Sequence, residues 1–134
     1  MAFLFCQWED RVTAARLITD SGYYGLVEPG DLVGLELYAL EDLDHELLAC
    51  VAVIRAGVQA YVDYLVVRPD RRGQGGASYL MRQVAVTLQE QKVRIVHLCV
   101  SGENGASAKM LMRFGAKIGW PYINAVVRLE DDNG

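Results

Sequence analysis

Tyr64-Leu65-Val66-Val67, then Arg68-Pro69-Asp70-Arg71-Arg72, then Gly73-Gln74-Gly75-Gly76-Ala77 organises everything else in this chain. An apolar strand empties into a turn with almost no side chains, and a helix begins there. Such a turn leaves backbone N–H groups unshielded, and the helix N-terminus adds about half an elementary positive charge. Arg68, Arg71 and Arg72 add full charges beside it. The combination points to a phosphate-bearing ligand.

The helix that follows is expected over 76–91. Ala77, Leu80, Met81, Val84, Ala85 and Leu88 recur at i, i+3, i+4, i+7, i+8 and i+11, which is one core-facing stripe. A compact strand follows at 93–100. A helical crossover between the strand at 61–67 and this one implies that the two run parallel. Upstream, the pattern predicts a strand at 2–6, a helix over 9–20 stopped by Ser21-Gly22, and a loop over 23–31. Strands at 33–40 and 47–55 follow, joined by the acidic tip Glu41-Asp42-Leu43-Asp44-His45-Glu46. Downstream come a helix over 104–114, a short strand at 117–120, a final one at 123–129 and a polar tail. The expected class is α/β: a mixed, mostly antiparallel sheet with helices on both faces.

The chain has 134 residues, 52% of them hydrophobic and 22% charged, so a single domain over 1–134 with a substantial core is expected. No apolar run approaches the roughly 18 residues of a membrane span, and residues 1–6 do not read as a secretory leader. Three scattered cysteines (Cys6, Cys50 and Cys99) suit small buried hydrophobes in a reducing cytoplasm better than a disulfide framework. The net charge of −4 is unevenly spread: residues 1–54 carry two basic against ten acidic side chains, and residues 55–134 carry eleven against seven. The phosphate-like turn lies in the cationic half. An isoelectric point near 5.1 argues against nucleic acid as a partner.

Competing phosphate motifs separate cleanly. A dinucleotide fingerprint wants a third glycine where Ser78 stands, and a P-loop wants Gly-Lys-Ser/Thr, which is absent. What fits is [Q/R]-x-x-G-x-[G/A], as Arg72-x-x-Gly75-x-Ala77 after Val67-Arg68-Pro69. Glu103-Asn104 opens the next helix, and Gly115 completes an N-x(10)-G spacing. On these residues, and on the order of elements from first to last, the chain resembles the GNAT superfamily of acyl-CoA-dependent N-acyltransferases.

The resemblance implies acetyl-CoA as co-substrate and a splayed parallel strand pair that receives it. Backbone N–H groups of Gln74, Gly75, Gly76 and Ala77, with Arg72 closing the turn, would hold the diphosphate. Gly73, Gly75 and Gly76 would let the ligand approach where a β-carbon would block it. Val66 and Val67 would offer backbone groups to the pantetheine arm and the thioester carbonyl, beside a bulge. Asn104 would bond the pantetheine; Lys109 reads more simply as a solvated helix-face lysine. One position departs from the family: the tyrosine often found seven residues after the asparagine, which protonates the leaving thiolate, is Leu111 here. Tyr122, Ser101, Cys99 or water remain as substitutes.

A proton acceptor for the amine is also needed. Strict alternation puts Tyr61, Asp63, Leu65 and Val67 on one face, which makes Asp63 the first candidate base. A salt bridge from Asp63 to Arg55 is the structural alternative, and Glu36 and Glu103 are weaker candidates. His45 reads as solvated and His97 as a sheet-face histidine; no metal spacing is present. Tyr23-Tyr24 falls where the family's acceptor loop lies. The expected function is acetyl transfer from acetyl-CoA to a primary amine, cationic because the first half is acidic. The alternative is a non-catalytic module that binds acyl-CoA or a protein. Pairing into a homodimer through a sheet edge is compatible with the fold.

Overall fold

The computed structural model describes residues 3–101, 117–119 and 122–128. β1 (Leu4–Trp8) leads into α1 (Arg11–Ser21), a tight helical turn at Pro29–Leu32, and the meander β2 (Glu36–Glu41), β3 (Leu47–Ala56) and β4 (Gln59–Val67). A second tight turn at Pro69–Arg71 opens α2 (Gly76–Glu90), and β5 (Ile95–Ser101), β6 (Lys117–Gly119) and β7 (Tyr122–Arg128) follow among the described residues. The seven strands form one sheet in the order β1-β2-β3-β4-β5-β7-β6. Its pairings are antiparallel except β4 with β5, which is parallel as α2 requires.

Local chemistry explains the helix ends. Asp10 caps α1, its Oδ1 accepting from the N–H groups of Val12 (3.0 Å) and Thr13 (3.2 Å). Trp8 clamps the same turn by donating its indole N–H to Thr13 Oγ1 at 3.0 Å. Gly22, at φ +78°, ends the helix in the left-handed conformation.

The two faces of the sheet carry separate cores. Ala77, Leu80, Met81, Val84 and Leu88 of α2 pack on Tyr38, Leu40, Val51, Val53, Val62, Leu65 and Val67. Ala14, Ala15, Leu17 and Ile18 of α1 pack on Leu37, Cys50, Ala52 and Val66 of the opposite face. Period-2 alternation along β2 and β3 thus feeds both cores at once. The α2 stripe is as the spacing predicts, although Ala85 is only partly buried.

Some boundaries move for physical reasons. β2 starts at Glu36 rather than at residue 33, because Leu32 is buried at the end of the tight turn and Gly34 (φ +87°) turns the chain. β5 starts at Ile95 rather than 93, because Lys92 at φ +68° reverses the chain out of α2. The helix expected over 104–114 lies outside the described residues.

Leu80 is fully buried on α2, so Leu80→Ala should cost about 2–5 kcal/mol in urea denaturation. Val86→Ala, on the exposed face of the same helix, should stay within about 0.5 kcal/mol.

Candidate active site

The site is built on a break in the sheet. β4 and β5 pair from Gln59↔Ile95 to Val62↔Leu98 and no further, yet β4 continues to Val67. β5 continues to Ser101, still paired to β7 at Tyr122. The two parallel strands therefore part after Val62. On the other side of β4 the register with β3 slips: Ala52 faces Asp63, but Cys50 faces Val66. Two residues of β3 span three of β4, which is a β-bulge. Tyr64 supplies the extra residue at φ +57°, an unusual conformation for a tyrosine.

The bulge overturns the expected facing of Asp63. Leu65 and Val67 turn toward α2, in phase with Val62. Asp63 sits opposite Ala52, so it shares the α1 face with Tyr64 and Val66. Its Oδ1 accepts from the Tyr64 N–H at 2.7 Å. Partial desolvation raises its pKa, and that hydrogen bond pulls the other way. Among the described residues no ion pair reaches Asp63. Arg55 is engaged elsewhere, donating Nε (2.9 Å) and Nη2 (2.6 Å) to Glu36 Oε1. Glu36 Oε2 accepts from the Tyr38 hydroxyl at 2.8 Å. Both oxygens of Glu36 thus accept hydrogen bonds within the protein. Tyr24 meets the Tyr64 ring edge-on, centroids 5.2 Å apart. Burial, then Asp63 and Asp31, raise the Tyr64 pKa.

Beyond β4 lies the turn. The Arg68 N–H donates to Leu48 O at 2.8 Å and aligns its start. Gly73 and Gly75 adopt φ +76° and +79°, and Gly75 is the N-cap of α2 without any side-chain cap. The first helical bond is Tyr79 N–H to Gly75 O at 3.0 Å. The N–H groups of Gly76, Ala77 and Ser78 consequently have no protein acceptor among the described residues, and no acidic side chain stands in the first turn. This end of α2 is prepared for an anion.

Within the protein itself, the demand for glycine comes from the backbone. A β-carbon at Gly73 or Gly75 would meet nothing within 4 Å, so positive φ is what demands glycine there. At Gly76 a β-carbon would stand 3.7 Å from Leu40 Cδ1, an ordinary contact. The arginines also divide. Arg68 is tied to Asp70 (Nε to Oδ1, 2.6 Å) and lies 3.6 Å from Glu46, so its charge is balanced locally. Arg71 and Arg72 enter no ion pair among the described residues. Arg72 donates Nε–H to Val67 O at 3.3 Å, and its guanidinium carbon lies 5.2 Å from the centre of the Tyr23 ring.

Val66, Val67, Arg72, Gly73, Gln74, Gly75, Gly76 and Ala77 thus form one continuous ledge from the strand break to the start of α2. Asp63 stands at the bulge, on the α1 side. Asn104, Glu103, Lys109, Leu111 and Gly115 lie outside the described residues. His97 is a sheet-face histidine: it stacks on Tyr61 with centroids 4.7 Å apart, and its Nε2 lies 2.8 Å from Gln59 Oε1. Sequence reasoning passed over two residues, Tyr64 as the bulge and Tyr23 as the partner of Arg72. The first had a signal: the alternation set by Val62 and Asp63 breaks at Tyr64, after which an unbroken run Leu65-Val66-Val67 begins.

The model of the acetyltransferase (GNAT) family matches residues 3–116. No curated protein sequence matches. Similar solved structures include the ribosomal-protein-S18-alanine N-acetyltransferase of Escherichia coli (TM-score 0.77, 13% identity, 99% of each chain covered). A GNAT-family acetyltransferase of Desulfovibrio desulfuricans superposes with TM-score 0.78 at 13% identity, covering 96% of this chain and 100% of its own. The PaiA N-acetyltransferase of Thermoplasma acidophilum, solved with coenzyme A, gives 0.75 at 12% identity, covering 96% and 99%.

Gly75→Ala should destabilise by about 1–2 kcal/mol through its left-handed backbone, whereas Gly76→Ala should be near neutral by the same denaturation measurement. Asp63 offers a pH test. Its raised native pKa means that the folded state bears a cost once the carboxyl ionises, and none below the unfolded pKa of about 3.9. Asp63→Asn should therefore raise the melting temperature at neutral pH, with the gain vanishing toward pH 3.

Proposed function

The chain belongs to the acetyltransferase (GNAT) family and is an acyltransferase that uses acetyl-CoA; from there we propose that it transfers the acetyl group to a primary amine by direct attack. The observation that carries this reading is the parting of β4 and β5 after Val62, side by side with the uncapped start of α2. A parted strand pair leaves main-chain groups to line an extended pantetheine arm, and unopposed helix N–H groups suit a diphosphate.

In this reading the N–H groups of Gln74, Gly75, Gly76 and Ala77 bind the diphosphate, and Arg72 lends a full charge. Backbone groups of Val66 and Val67 align the arm. An N–H near Val67 stabilises negative charge on the thioester oxygen as it develops. Asn104 bonds the pantetheine. Asp63 takes the proton that the acceptor ammonium must lose, and its raised pKa suits that task. The departing thiol has an ordinary pKa of about 8.5, so the thiolate leaves tolerably without a dedicated acid. That matters because Leu111 stands where the family often has a tyrosine. Proximity and orientation do most of the work.

The acceptor in this reading is cationic. Asp63 and Asp31 both act on Tyr64 at the bulge, and the first 54 residues carry eight net negative charges by formal count. Leu111 favours a second reading, a module that binds acyl-CoA without turnover.

A thiol-release assay with acetyl-CoA over an amine panel tests both. Release with cationic amines supports the enzyme; coenzyme A binding without release from any amine supports the module. Release confined to acidic or neutral amines would contradict the acceptor class. Arg72→Glu should lose most of its cofactor affinity. Asp63→Asn should lower kcat by roughly 10²–10⁴-fold, with cofactor affinity retained; an unchanged kcat would remove Asp63 from the mechanism.

A further inference from the structure

We propose that Tyr23 is a positioning residue that holds Arg72 across the diphosphate turn and makes the loop between α1 and β2 part of the acetyl-CoA site. The inference rests on the cofactor placement proposed above and adds a residue from a distant part of the chain.

Arg72 is held from two sides. Its Nε–H donates to Val67 O, and its guanidinium carbon lies 5.2 Å from the Tyr23 ring centre, within cation–π range. An arginine has five N–H donors, and only Nε–H is used by protein among the described residues. The planar head is therefore held from two sides with donors to spare, on the turn that leads to the bare N–H groups of Gly76, Ala77 and Ser78. A long exposed arginine would otherwise sample many rotamers and lose that freedom on binding. Stacking on Tyr23 removes part of that loss in advance.

The same loop reaches the other half of the site. Tyr23 and Tyr24 are bracketed by Gly22 (φ +78°) and Gly25 (φ +72°). Tyr24 packs edge-on against Tyr64 at the bulge, next to Asp63. Farther along, Thr19 Oγ1 pins Val27 by accepting its N–H at 2.9 Å and donating to its carbonyl at 3.0 Å. Two adjacent tyrosines thus connect the turn that would hold the diphosphate to the residue that would take the acceptor's proton. Coenzyme A binding that fixes Arg72 further also fixes residues 22–26, so the acceptor side is ordered by the cofactor.

Calorimetric titration of coenzyme A into five proteins tests this: wild type, Tyr23→Leu, Tyr23→Phe, Arg72→Gln, and Tyr23→Leu combined with Arg72→Gln. Tyr23→Leu should weaken binding by about two- to fivefold, the scale of an exposed cation–π contact. Tyr23→Phe should recover the affinity that Tyr23→Leu loses, since the ring is what acts. On the Arg72→Gln background Tyr23→Leu should change nothing more, because the two act as a pair. Equal losses in both backgrounds, or Phe behaving like Leu, overturns the proposal. Hydrogen exchange on the unmodified protein gives a second readout that needs no variant to fold: amides of residues 22–26 should exchange more slowly with coenzyme A bound. No added protection there also overturns it. Should wild type bind no coenzyme A, the cofactor placement itself fails; should it bind while Tyr23→Leu is silent, only the role of Tyr23 fails.

Discussion

A single interruption in hydrogen bonding organises this protein. β4 and β5 are partners for Gln59 to Val62 and then separate, although both strands continue. The extra residue at Tyr64 bends β4 and re-aims every side chain after it. Without that slip, Leu65 and Val67 would face α1 instead of packing beneath α2. The two cores on opposite faces tolerate the kink because each takes alternate residues of the same strands. A non-glycine residue in the left-handed region costs of order 1–3 kcal/mol, and that cost sits just beyond the point where β4 leaves β5.

The second constraint is the start of α2. Gly73 and Gly75 set a backbone path open only to residues that accept positive φ, and that path aims N–H groups outward rather than at the protein. Charge is then graded around the ledge. Arg68 is balanced by Asp70 and Glu46, which also tethers the acidic β2–β3 tip to the turn. Arg71 and Arg72 enter no ion pair among the described residues, and Arg72 is oriented by an aromatic ring. The acidic half of the chain is partly paired inside the molecule, Glu36 with Arg55 and Glu46 with Arg68, while Asp63 and Asp31 act on Tyr64 at the bulge.

The comparisons agree with this picture at the level of fold and family. At 10–19% identity in the similar structures, little beyond backbone path is shared, so the chemistry of the acceptor falls to this chain's own side chains.

Periodicity and glycine placement were enough to read the meander, the α2 stripe, the parallel crossover and the glycine turn that starts α2, because each rests on neighbours within a few residues. The spacing of Arg72, Gly75 and Ala77 belongs to the same class: a left-handed turn into a helix start is a local event. What the chain alone did not show was which way Asp63 faces, which carboxylate Arg55 would take, and what Arg72 would rest upon. Facing depended on pairing with β3, where two residues match three. Arg55 met Glu36 because β2 and β3 lie side by side. Tyr23 reached Arg72 because the loop after α1 and the glycine turn after β4 meet in the folded chain. Contacts between segments distant in sequence are set by the register of the folded sheet, and no local pattern encodes that register.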